Sequence, residues 1–356
     1  MPATPVHSAS LSSQPDSTAV TSSHRRLTFL DSVRGIAALT VVAQHYLSDR
    51  YPGFEAFARE QFNVGQVGVV AFFLVSGFII PVSLQKYGRI LPFWRGRFFR
   101  LYPMYWLSLL FAAVLIYTHR MAAMPFLLQH AATGMLANAT MLQLFLGVPN
   151  AEGAYWTLAL EMVFYAICCA LFLTRSLAHP VRNVLLGAAG VVLVNNAMAF
   201  LLHRSPPAMH LSLVLTSLLG TVAYRVHKGE VRTRALYWLM PVMLAVVTEG
   251  FWLHYVLLPE PEREPTLFTG MMSAWLAGYA LFLLCFAVRT RIFPEWLQWL
   301  GRISYSMYLL HDLVANLVPQ TLPVALWLPL TTAVSIGLSY LAYRFVERPA
   351  MELGRG

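Results

Sequence analysis

Residues 30–47 read LDSVRGIAALTVVAQHYL, an apolar stretch that carries an arginine, Arg34, and a histidine, His45, eleven positions apart. At about 3.6 residues per turn, eleven steps make almost three turns, so both side chains leave one helix face about 16 Å apart. The stretch reads as a membrane span with Arg34 at one edge and His45 near mid-bilayer. Ionisable groups inside a span cost about 2.5–3.5 kcal/mol each on insertion scales, so they are expected to face protein or water and to serve a purpose. The pair therefore reads as the axis of an active site.

Composition extends this reading to the whole chain. Of 356 residues, 58% are hydrophobic and 12% charged, with a mean hydropathy of +0.59, whereas a soluble domain carries about 25% charged residues. The composition excludes a soluble globular protein and predicts an all-α, polytopic membrane bundle. The apolar runs place about ten transmembrane helices near 30–48, 65–83, 99–118, 155–174, 183–202, 208–226, 235–255, 267–288, 297–316 and 325–345. Segment 124–147 is also apolar, but Gln129, His130, Asn138, Thr140 and Gln143 interrupt it, and it reads as a re-entrant or interfacial element. The first residues are rich in Ser, Thr, Pro and Ala without an apolar core, which predicts a disordered tail rather than a signal peptide. The expected organisation is a cytoplasmic tail over 1–26, one membrane domain over 27–350 and a cytoplasmic C-terminal tail over 351–356.

With both termini in the cytoplasm, twenty of the 25 lysines and arginines fall inside, while Arg50, Arg59, Arg120, Arg204 and Arg263 fall outside. This positive-inside bias explains the net charge of +9 without nucleic acid as a partner. No internal repeat is visible, so the inverted halves of many transporters find no support. Cys168, Cys169 and Cys285 lie in apolar runs without metal-ligand spacing, and no metal site is expected. There is no HExxH, no Gly-rich phosphate loop and no GxSxG elbow; Ser76 in LVSGF lacks the upstream glycine.

Several polar groups remain within the spans. Asp31 precedes Arg34 by three positions, a spacing that permits an acid–base contact on one helix. Arg97 and Arg100 in RGRFFRLYP are also three apart, with Arg95 and Tyr102 beside them. Two guanidiniums on one face suit phosphate or pyrophosphate, although ordinary positive-inside flanking gives the same pattern. Glu161 in WTLALEMVFY is the sole carboxylate of its span, one turn from Thr157 and Tyr165. A buried glutamate must be neutral, paired or hydrated, and a histidine or arginine on a neighbouring helix is its expected partner. Ser304, Tyr308 and His311 in GRISYSMYLLHD share a face; with Tyr305 and Tyr165 they are candidate substrate contacts. A histidine near a span end also serves as a structural hydrogen-bonder.

Taken in order, LDSVRGIAALTVVAQH, GVVAFFLVSGFII, RGRFFRLYPMYW, WTLALEMVFY, LGRISYSMYLLH and FVERP resemble the acyltransferase-3 family of bacterial membrane O-acyltransferases, from about Leu27 to Met351. The family often has an acidic residue where this chain has Val70 or Ala71. The resemblance implies transfer of an acyl group, usually acetyl from acetyl-CoA, to a hydroxyl of a sugar, glycolipid or polyketide at the inner membrane. An imidazole, with a pKa of about 6.5, suits removal of the hydroxyl proton, which makes His45 the candidate base. Glu161 or Asp31 would orient it, and Arg34 or a tyrosine hydroxyl would stabilise the oxyanion. Arg97 and Arg100, with Arg95 and Tyr102, would hold the coenzyme A phosphates at the cytoplasmic mouth. Two other readings use the same residues: a secondary transporter or flippase with Arg34, His45, Glu161 and His311 as a proton relay, and a non-catalytic scaffold.

Overall fold

The structure is a computed structural model that describes residues 27–259 and 266–354; the expected N-terminal tail lies outside them. Those residues form fourteen α-helices and no strand. The helices are α1 (Thr28–Arg50), α2 (Pro52–Glu60), α3 (Val64–Tyr87), α4 (Ile90–Tyr117), α5 (Pro125–Gln129), α6 (Ala131–Ala139), α7 (Tyr155–Leu173), α8 (Pro180–Asn196), α9 (Ala208–His227), α10 (Thr233–Trp252), α11 (Phe268–Ala287), α12 (Glu295–Ala315), α13 (Val324–Ala342) and α14 (Arg348–Leu353). Single π turns extend α8, α10 and α13.

Local chemistry sets several of these ends. Asn63 caps α3 by accepting the Gln66 N–H at 3.0 Å, and Gly88, at φ 62°, closes it in the left-handed conformation that glycine tolerates. Proline opens α2, α5 and α8, where its missing N–H has no helical partner to lose.

Eight helical segments are long and apolar enough to cross a membrane: α3, α4, α7, α8, α9, α10, α11 and α13 with its extension. α8 shows why the surrounding medium must be apolar. It leaves Leu185, Leu186 and Leu193 exposed, and Phe200 and Leu201 follow on its π turn, a row that water would penalise and lipid would not. The chain is thus a multi-pass membrane protein. Each of the ten expected spans is a helix, but α1 and α12, with 23 and 21 residues, are too polar to join the eight. Segment 124–147 holds only the short helices α5 and α6, neither long enough to cross.

These two polar helices are packed together and walled in by the apolar ones. Every residue of α12 from Ile303 to His311 is buried, so protein surrounds it on all sides at that level. α1 and α12 run parallel: Gly35 meets the backbone of Leu297, Gly301 meets that of Asp31, and at the other end the Tyr46 hydroxyl donates to the His311 carbonyl at 2.9 Å. A Cβ on Gly35 would stand 2.5 Å from the Leu297 oxygen, and one on Gly301 would overlap the Asp31 carbonyl. Gly77 and Gly220 allow the same close approach between α3 and α9. Without a hydrophobic drive between helices in lipid, such small-residue contacts supply much of the association.

Gly301→Ala is therefore expected to destabilise the protein by about 1–3 kcal/mol through overpacking, read as a lower melting temperature in detergent. Gly337→Ala is the comparison, since nothing lies within 4 Å of that position. Equal melting of the two variants would remove the tight α1–α12 crossing.

Candidate active site

The parallel register of α1 and α12 lines up Arg34 and His45 on one helix with Arg302, Ser304, Tyr308 and His311 on the other. Between them and α3, α4, α7, α13 and α14 lies a cavity of about 920 Å³. It runs from Trp299, Tyr343 and Arg348, at the end where α12 begins, to Tyr308 and Thr157. Arg34, Arg97, Arg100, Arg302 and Arg348 line it against two carboxylates, Glu161 and Glu352. The cavity therefore favours an anion-bearing ligand.

Of the residues expected at a site, Arg34, Arg97, Arg100, Glu161, Tyr165, Ser304, Tyr305 and Tyr308 line this cavity; Asp31, His45, His311, Arg95 and Tyr102 do not. Arg95 and Tyr102 line a separate surface groove of about 340 Å³ with Leu91, Trp94, Phe98 and Met162, and Arg97 borders both hollows. The Tyr102 hydroxyl donates to the Thr140 carbonyl at 2.9 Å. Sequence reading missed Trp299, Arg302, Tyr340, Tyr343 and Arg348. By sequence alone Arg302 and Arg348 are indistinguishable from positive charge flanking a span.

The arginines differ in how far they are committed. Arg100 pairs with the fully buried Glu347 carboxylate at 2.6 Å, and Ser306 donates to the other carboxylate oxygen at 2.7 Å. Arg97 donates to Ser83 at 3.1 Å and stands 5.7 Å and 5.9 Å from the Phe93 and Tyr165 ring centroids; its Nε is buried without a partner. Arg34 and Arg302 make no hydrogen bond or ion pair among the described residues, so no ion pair joins Arg34 to Asp31. Glu161 takes a 2.6 Å hydrogen bond from Tyr165, one turn along α7, and a 3.4 Å one from Ser76. Its bonded partners are hydroxyls rather than the expected histidine or arginine.

At the inner end, the Tyr308 hydroxyl bonds with Thr157 at 2.8 Å and reaches the Ala154 carbonyl at 3.2 Å, while Phe72 packs 5.9 Å from the Tyr308 ring. Beyond this wall lie the two histidines, rings 4.9 Å apart and near perpendicular. His311 Nδ1 lies 2.9 Å from the Tyr308 carbonyl and 3.2 Å from that of Met307. Carbonyls only accept, so Nδ1 carries the proton and Nε2 the lone pair. That Nε2 is buried without a partner. His45, half-buried, sits beside it.

The segment leading into α7 covers this end. Asn138 ties it down through Pro149 and Ala151, each at 2.9 Å. Glu152 lies within it, 2% exposed. Burial pushes the Glu152 carboxyl well above the usual carboxylate range, and Asp312 adds to the effect while the Ala154 N–H opposes it.

A helical membrane bundle with a cation-lined interior cavity, walled by one tyrosine from a pair of histidines, one of them fully buried, is the class of protein that these observations define. A family profile described as an acyltransferase domain matches residues 27–344, and the chain belongs to that family, acyltransferase-3. It is similar to the acyltransferase MdmB of Streptomyces mycarofaciens, 27% identical over 51% of this chain and 48% of that protein. Against the exopolysaccharide production protein ExoZ of Rhizobium meliloti it is 29% identical over 83% of this chain and 92% of the relative. Against YrhL of Bacillus subtilis, a candidate peptidoglycan O-acetyltransferase, it is 25% identical over 94% of this chain and 56% of the relative. The chain thus spans about half the length of two of these relatives. No solved structure matches it.

Removing one partner of the Arg100–Glu347 pair strands the other charge in a buried setting. Glu347→Gln is expected to cost about 3–5 kcal/mol, read as a loss of thermal stability in detergent. Pairing it with Arg100→Met should recover a large part of that loss. A Glu347→Gln variant that melts like the parent would show that the pair does not hold the last helices to α4.

Proposed function

We propose that the protein is an integral-membrane O-acyltransferase that moves an acyl group, acetyl in the simplest case, from acyl-CoA to a hydroxyl of a sugar, glycolipid or polyketide. The observation that carries this reading is the arginine-lined cavity leading to the wall before His45 and His311, in a chain of an acyltransferase family. In this proposal α1 and α12 also span, giving ten spans with both termini cytoplasmic, in the bacterial inner membrane. The arginine-rich end then faces the compartment that holds acyl-CoA, whose phosphates bar it from lipid.

The chemistry assigned to the residues is direct. The acceptor hydroxyl gives its proton to His45 as its oxygen attacks the thioester carbonyl; the C–S bond breaks, and the proton passes from His45 to the leaving thiolate. His311, its Nε2 unpartnered and its ring 4.9 Å from that of His45, is the neighbour able to accept an N–H from His45 in the reaction. Arg34 lies almost three turns from His45 on α1, so the oxyanion role falls to a tyrosine hydroxyl, for which Tyr308 on the wall before the histidines is the candidate, and Arg34 is left to meet the charged part of the donor in the cavity. Glu161, tied to Tyr165 and Ser76, lines the same cavity as the candidate for balancing charge there. Asp31, in the first turn of α1 and about 21 Å along the helix axis from His45, is too far away to balance the charge of the base.

Membranes supplied with labelled acetyl-CoA and extracted acceptor test this. His45→Ala should lower acyl transfer by about 100-fold or more, the usual contribution of a general base, while the purified variant melts with the parent. Undiminished transfer by the variant would remove His45 from the mechanism. Uptake driven by a pH gradient, with no covalent acyl product, would instead identify a transporter.

A further inference from the structure

The cavity holds a second set of recognition groups, on α12 and α13 rather than on α4 with Arg97. Trp299 and Tyr340, from α12 and α13, lie with ring centroids 5.9 Å apart and planes tilted by 39°, and both line the cavity with Tyr343. Arg302, one turn from Trp299, lines the same wall and has no hydrogen-bond or ion-pair partner among the described residues. Arg348 completes the set, already paired with Glu352 at 3.1 Å on the exposed rim.

We propose that Trp299, Tyr340 and Arg302 form a subsite for the adenine nucleotide end of the acyl donor, with the base laid on the indole and a phosphate held by the guanidinium. This rests on the acyl-CoA reading and gives its nucleotide a place. At 5.9 Å the two rings are too close to admit a base between them, so they offer a platform rather than a sandwich. A purine suits such a platform because any base presents a π face to an aromatic side chain. The phosphate assignment follows from what the arginines already hold. Arg100 is neutralised by Glu347, and Arg97 is engaged by Ser83 and two rings. Arg302 is uncommitted, and a guanidinium offers a fork of donors that matches phosphate. Arg97 would then contact a phosphate or the pantetheine arm further in.

Acetyl-CoA and acetyl-pantetheine, which lacks the nucleotide, separate this subsite from the rest of the reaction. In the parent protein acetyl-CoA should have the higher kcat/KM. Trp299→Ala and Arg302→Gln should each reduce that preference by about tenfold, the order expected for one stacked base or one charge-assisted phosphate contact. The loss should appear in KM for acetyl-CoA. Adenosine 3′,5′-bisphosphate should inhibit the parent competitively and the variants more weakly by a similar factor. Arg302→Lys, which keeps the charge, should restore part of the preference. Because Trp299→Ala can perturb folding, Arg302→Gln and the inhibitor carry the result if it does. An unchanged preference in Arg302→Gln, with unchanged inhibition, would overturn the subsite and leave the donor reading standing. A parent protein that uses neither thioester and is not inhibited would overturn the donor reading, and the subsite with it.

Discussion

The glycine-mediated contact between α1 and α12 is the constraint on which the rest of the structure depends. Both helices carry charges that lipid would reject, and neither could sit at the edge of the bundle at low cost. Gly35 and Gly301 let their backbones touch, so the two polar helices shield each other on one side while apolar α3 covers α1 and other helices enclose α12. The parallel register has a chemical consequence. It holds Arg34 near the level of Arg302, and His45 beside His311, so each end of the shared seam has its own character: guanidinium at one, imidazole at the other.

The second constraint is the tie between α4 and the chain's last helices. Glu347 lies on the π turn between α13 and α14 and is fully buried, and Arg100 and Ser306 both reach it. Three elements thereby meet at one carboxylate beside the cavity. An extra residue in a helical turn re-aims the side chains that follow, and here the turn that carries Glu347 also carries Tyr343 on the cavity wall. The FVERP motif is best understood as this joint. It converts one arginine of the RxxR pair from an open cation into a structural one.

Much of the bundle was legible because hydrophobic runs of span length have few alternatives. The boundaries that failed did so for a physical reason. α4 begins at Ile90 rather than near 99: its first turns hold Arg95 and Arg97, which hydropathy reads as loop, although an arginine can follow a helix into the interface by laying its stem on apolar neighbours. The site was legible where it depended on one helix, as with the face shared by Glu161 and Tyr165 or by Ser304 and Tyr308. It was not legible where it depended on assembly. Nothing in the spacing of WLGRISY announces that Arg302 lines the cavity, and the aromatic pair of Trp299 and Tyr340 joins residues 41 positions apart. His45 shows the same limit from the other side: its face was predicted, but not that Tyr308 would stand between it and the hollow.

That position makes Tyr308 the decisive element of the reaction scheme. Its hydroxyl is held by Thr157 and Ala154 at the start of α7, its ring by Phe72, and the carbonyl of its own residue fixes the His311 tautomer. A donor entering along the arginines meets this ring before it meets an imidazole, whereas the half-buried His45 lies on its far side. This wall separates the charged cavity from the histidine pair. Tyr308 is the side chain whose two hydroxyl hydrogen bonds would have to give for the proposed reaction to join the cavity to the histidines.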